Sequence, residues 1–78
     1  MVIAYVLITV KHGTNQEVVD QLSEIEEVKE SHILYGQYDI ICKIEMTAIK
    51  DLDNTVFKKI KAIPDVESTE TLISSDVV

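Results

Sequence analysis

The run Val2-Ile3-Ala4-Tyr5-Val6-Leu7-Ile8-Thr9-Val10 constrains the fold more than any other segment, because both of its alternating sets are apolar. Val2, Ala4, Val6, Ile8 and Val10 form one set, and Ile3, Tyr5 and Leu7 the other. A segment rich in β-branched residues and apolar on two sides belongs in the middle of a sheet, covered on both faces. It is too short to span a bilayer, lacks a basic leader and has no small-residue cleavage site, so it reads as a strand and no membrane contact is expected.

Punctuation along the chain sets the next elements. Lys11-His12-Gly13 supplies a turn, and Thr14-Asn15-Gln16-Glu17 has the T-x-x-E spacing of a capping box, so a helix is predicted from about Asn15. Val18, Val19, Leu22 and Ile25 share one face of it. An extended run over about 28–35, ending in Tyr35, and another from Tyr38 through Met46 are separated only by Gly36-Gln37, which predicts a tight hairpin. Ile40, Cys42, Ile44 and Met46 make one face of the later strand apolar, while Asp39, Ile41, Lys43 and Glu45 make the other mixed. Thr47 is placed to cap a second helix carrying Ile49, Leu52, Val56, Ile60 and Ile63, which ends near Ala62 before Pro64. Lys58, Lys59 and Lys61 complement the negative pole of that helix. Residues 66–74 read as a polar, threonine-rich edge strand.

The order β-α-β-β-α-β, joined by right-handed crossovers, predicts an α+β ferredoxin-like fold: a four-stranded antiparallel sheet with both helices on one face, of the dimeric α/β-barrel type. Residues 1–78 are expected to form one domain. A chain this short buries only ~60% of its unfolded surface, and the sheet face away from the helices is left uncovered, so a homodimer is expected. Fourteen acidic against seven basic residues give a net charge of −7, which argues against direct binding to nucleic acid or anionic membranes. The lone Cys42 sits in an apolar run and reads as a reduced core residue, which fits the cytoplasm. His12 and His32 have no carboxylate or cysteine at metal-ligand spacing, and no nucleophile stands beside a base. No metal, cofactor or catalytic residue is expected.

Gly36-Gln37-Tyr38-Asp39 followed by Ile40-Ile41-Cys42-Lys43-Ile44 gives G-x-Y-D at the head of an apolar strand, and this resembles the effector-binding domain of the Lrp/AsnC transcription regulators. Ile63-Pro64-Asp65-Val66 resembles the family's leucine-proline-glycine-valine after the second helix, with Asp65 in place of glycine, and Thr69-Glu70-Thr71 resembles its last strand. The likeness covers residues 2–74. No helix-turn-helix segment stands before residue 1, so the resemblance implies sensing and assembly rather than DNA binding. It also implies rings of dimers and co-assembly with full-length Lrp/AsnC-type regulators.

On that resemblance the ligand would be an amino acid, held by Gly36, Tyr38, Asp39, Thr69 and Thr71. Asp39 lies beside a glycine turn, where its carboxylate could receive an ammonium group or, equally, accept amides of its own turn. Gly36 could serve the turn alone, Tyr38 could be a packed aromatic with a wetted hydroxyl, and Thr69 and Thr71 also suit any strand. Two other classes share the topology: small cofactor-independent dimeric α/β-barrel enzymes of the monooxygenase or isomerase type, and ACT-like amino-acid-binding domains. The first needs polar groups between sheet and helices, where this sequence offers apolar ones. The second is disfavoured by G-x-Y-D.

Overall fold

The computed structural model describes residues 1–74. Its central strand is β1 (Val2–Val10), flanked by β3 (Ile40–Met46) and β4 (Val66–Ile73), with β2 (Val28–Ile33) outside β3. The strand order is β2-β3-β1-β4 and every pairing is antiparallel. This is the ferredoxin-like α+β arrangement expected from the sequence, with the two most apolar strands in the middle.

Period-two alternation decides which face is buried. Ala4, Val6, Ile8 and Val10 of β1 join Ile40, Cys42, Ile44 and Met46 of β3 in one core. Val18 and Leu22 of helix α1 (Asn15–Leu22) pack on that same face, as do Val56, Ile60 and Ile63 from the second helical segment and its end. Each fully buried branched side chain contributes ~1.5–3 kcal/mol relative to exposure, so these few residues fix the side on which the helices dock. The opposite set, Ile3, Tyr5, Leu7 and Ile41, is only partly covered, and Tyr5 is 38% exposed.

Three local expectations are corrected. Thr14 makes no side-chain cap on α1; its hydroxyl donates backwards to Lys11 O at 2.7 Å and closes the turn before the helix. The β2–β3 connection is not a two-residue hairpin. β2 ends at Ile33 and β3 starts at Ile40, and residues 34–39 form a wider loop in which Leu34 N–H donates to Asp39 O at 2.8 Å. Tyr35, expected to end β2, lies in this loop and is fully exposed.

The second helix, α2, departs most. It opens as a 3₁₀ turn at Ile49–Asp51 and continues as a π-helical stretch at Asn54–Ile60. The cap comes from Asp51, whose carboxylate accepts Ala48 N–H at 3.3 Å, and not from Thr47. Lys61 N–H reaches Val56 O at 2.8 Å, five residues back. Ile49, in the 3₁₀ turn, points outward (59% exposed), and Thr55, in the π-helical stretch, is completely buried, its hydroxyl without a hydrogen-bond partner. Lys59 ties α2 to the α1–β2 loop through Glu27, with Nζ 2.8 Å from both carboxylate oxygens. That ammonium holds the Glu27 carboxyl below the ordinary glutamate value.

Candidate functional site

The sheet end where β1 finishes and β3 begins gathers most of the expected site residues. Gly36 adopts φ +142° in the 34–39 loop, in the region that favours glycine, with open space around it. Asp39 anchors the loop to β1 twice: its N–H donates to Ile8 O at 2.9 Å and its Oδ2 accepts Val10 N–H at 2.9 Å. Asp39 is half-buried, so this carboxylate does structural work whatever else it binds.

Tyr38, one residue earlier, donates its hydroxyl to Glu70 Oε1 at 2.7 Å, linking the loop to β4. This bond raises the phenol above its ordinary pKa, because losing the proton would set two negative charges together. Sequence reasoning missed Glu70. Its only signal is position: it lies between Thr69 and Thr71 and so points to the opposite face of the strand.

Register settles where the two threonines point. Thr69 pairs with Ile8 and Thr71 with Val6, both buried under the helices, whereas Glu70 pairs with Leu7 on the outer face. Gly36, Tyr38 and Asp39 therefore share one loop, while Thr69 and Thr71 lie on the helix side of an edge strand. Within one chain the loop is joined to β4 through Tyr38 and Glu70, not through the threonines.

The outer face carries an apolar patch. Across it Tyr5 stands between Lys43 and Leu72, and Leu7 between Ile41 and Glu70. Leu72 is 49% exposed. Charges edge the patch: Lys43 Nζ lies 3.9 Å from the carboxylates of both Glu30 and Glu45.

Cavities of about 230 Å³ and 390 Å³ open at the other end of the sheet, and Glu45, Met46 and Thr47 contribute to both. A third, of about 210 Å³, lies between α1 and β2, lined by Val19, Ser23 and residues 28–31. None of these three is lined by Gly36, Tyr38, Asp39, Thr69 or Thr71. Burial pushes the Cys42 thiol up to about 11, so it is neutral near pH 7 and a poor nucleophile. Among the described residues no group of three or more His, Cys, Asp or Glu is arranged to hold a metal ion, and no helix is long and apolar enough to cross a membrane.

The family model for the Lrp/AsnC ligand binding domain matches residues 3–78. The chain belongs to this family. It is 38% identical over 71 residues to the HTH-type transcriptional regulator FL11 of Pyrococcus abyssi, a match covering 91% of this chain and 46% of that protein. The chain thus spans about half the length of the curated relatives it matches. Among solved structures, FFRP-DM1 superposes with a TM-score of 0.91 at 39% identity, covering 95% of this chain and 99% of that one. E. coli AsnC superposes with a TM-score of 0.91 at 28% identity, covering 97% of this chain and 52% of that one. The chain is therefore a ligand-binding domain of the kind found in Lrp/AsnC transcription regulators.

Proposed function

We propose that this Lrp/AsnC domain is a cytoplasmic, non-catalytic amino-acid sensor that works as an assembly of identical chains and influences transcription by co-assembling with full-length regulators. The observation that carries the reading is the family match along nearly the whole chain. A Neisseria meningitidis transcriptional regulator of the same fold, 13% identical with a TM-score of 0.86, was solved in complex with L-methionine. A net charge of −7 favours action through a partner over direct contact with DNA phosphates.

In this reading a dimer forms through the outer sheet face, where Ile3, Tyr5, Leu7, Ile41 and Leu72 offer an apolar centre rimmed by charge. The amino acid binds where the 34–39 loop meets a neighbouring subunit. Asp39 Oδ2 is committed to Val10, so the other carboxylate oxygen receives the ammonium group. Backbone amides near Gly36 take the ligand carboxylate, Tyr38 closes one side, and Thr69 and Thr71 line the site from the helix side of β4. A zwitterion needs opposite charges or dipoles a few ångströms apart, and a glycine loop beside a carboxylate supplies both.

Titration calorimetry of the purified chain against each proteinogenic amino acid tests the sensing role. Binding of one or a few is expected. If none binds at millimolar concentration, the domain is an assembly element alone.

A further inference from the structure

Charge is unevenly spread along the chain. Residues 54–64, the π-helical stretch of α2 and the turn after it, hold three lysines and no acidic residue, whereas the remaining residues hold fourteen acidic residues and four lysines. The three cations are not equivalent. Lys59 is half-buried and committed to Glu27. Lys58 and Lys61 are exposed, and among the described residues neither is in an ion pair. A positive spot on a molecule of net charge −7 attracts anionic groups that the rest of the surface turns away.

The same spot carries an aromatic ring. Phe57 is 59% exposed, and Lys61 Nζ stands over its ring, 5.0 Å from the centroid. The negative pole of α2 explains why lysines lie in its last turn. It does not explain the phenylalanine among them, which leaves apolar area in water and takes no part in the core that Val56, Ile60 and Ile63 help to form. Aromatic side chains are enriched at protein interfaces, where they serve as anchors.

We propose that the Phe57–Lys61 surface of α2 docks a short acidic segment of another protein, one that carries an aliphatic side chain among its carboxylates. The aliphatic group covers the free part of the Phe57 ring, and the carboxylates pair with Lys58 and Lys61. Two other occupants fit less well. Duplex DNA has the charge, but it presents a long polyanion to a chain that is strongly acidic beyond this spot. Helix α1 of a second copy exposes Glu17 and Asp20, yet it exposes no large apolar side chain to cover the ring. None of the docking residues belongs to the 34–39 loop or to the outer sheet face, so the proposal is independent of the ligand and dimer readings.

Nuclear magnetic resonance titration of the full chain tests the docking surface, with the end-capped synthetic peptide Glu-Glu-Leu-Glu-Glu as probe. Saturable shifts confined to the amides around Phe57, Lys58 and Lys61 are expected, with affinity falling as salt is raised. Serine in place of the peptide's leucine, or Phe57→Ser or Lys61→Glu in the protein, is expected to weaken binding at least about tenfold. Lysines in place of the peptide's glutamates are expected to abolish it. Both protein positions are exposed, so the fold should persist; if a variant unfolds, the serine peptide on the unaltered chain decides. No shifts at millimolar peptide, shifts centred elsewhere, or equal affinity for the serine peptide overturn the proposal. Stronger shifts of the same amides by duplex DNA overturn it in favour of nucleic acid. A mass in light scattering that falls with Lys61→Glu in the absence of peptide overturns it in favour of a second copy.

Discussion

Asp39 Oδ2 accepts the Val10 N–H at 2.9 Å, while Asp39 N–H donates to Ile8 O at the same distance, so one residue holds the loop of a candidate ligand site against the end of the central strand. Val10 is only 6% exposed, so its amide has little access to water as a substitute. Asp39→Ala is expected to cost ~1–3 kcal/mol of stability by leaving that donor unpaired, read as a lower urea midpoint. Asp39→Asn keeps an acceptor oxygen and should lose far less stability, while losing the charge that would attract an ammonium group. Asn is therefore the better probe of binding: at least about tenfold weaker amino-acid affinity with a near-normal midpoint is expected. Equal affinity would remove Asp39 from the site.

Thr55 offers the reverse experiment. Its hydroxyl lies in the π-helical stretch, is wholly buried and has no hydrogen-bond partner, not even the i−4 carbonyl that a helical threonine can bond. Thr55→Val keeps the shape and removes the buried polar atom, so stability should rise by ~1 kcal/mol. Denaturant unfolding of the two proteins checks this. A fall instead would mean that the hydroxyl is satisfied, for instance by an internal water.

These two residues mark how far the sequence could be read. Strand positions were legible because alternation is local: Ala4, Val6 and Ile8 against Ile3, Tyr5 and Leu7 give the layer order without tertiary information. The π-helical turn was not, since the spacing of Leu52, Val56 and Ile60 suits an ordinary helix and only packing reveals the extra residue per turn. T-x-x-E around Thr14 misled because the threonine hydroxyl reaches Lys11 O first. The candidate ligand residues were legible as a list but not as a geometry. Thr69 and Thr71 look adjacent to the site in the sequence, and only the register with Ile8 and Val6 puts them on the helix side, leaving Glu70 as the partner of Tyr38.

The Tyr38–Glu70 link predicts a dependence on high pH. The phenol is raised above its ordinary value of 10.0, so the folded state holds this proton more tightly than the unfolded one. Its contribution is fully present below the unfolded value and is lost as pH rises through the higher folded value. Glu70→Gln should lower the Tyr38 ionisation toward the ordinary phenol, read by ultraviolet difference titration with Tyr38→Phe as the reference. No change in the Tyr38 transition would show that the carboxylate is not its partner in solution.

The isolated chain is expected not to bind duplex DNA specifically, given its net charge of −7. A mobility shift by the pure protein that depends on sequence and survives added salt would contradict this. Mixing with a full-length Lrp/AsnC-type regulator is the condition under which an effect on DNA is expected.

Assembly through the outer sheet face is the point on which the account turns, because the proposed amino-acid site is completed by a neighbouring chain. Ile3, Leu7 and Ile41 are only partly covered, and Tyr5 and Leu72 are 38% and 49% exposed, an apolar centre that a second copy would remove from water. Light scattering of the purified chain at micromolar concentration measures this directly. A mass of twice 8.8 kDa or a multiple of it, reduced by Leu7→Lys, is the predicted result, and a mass of 8.8 kDa for the unaltered chain would contradict it.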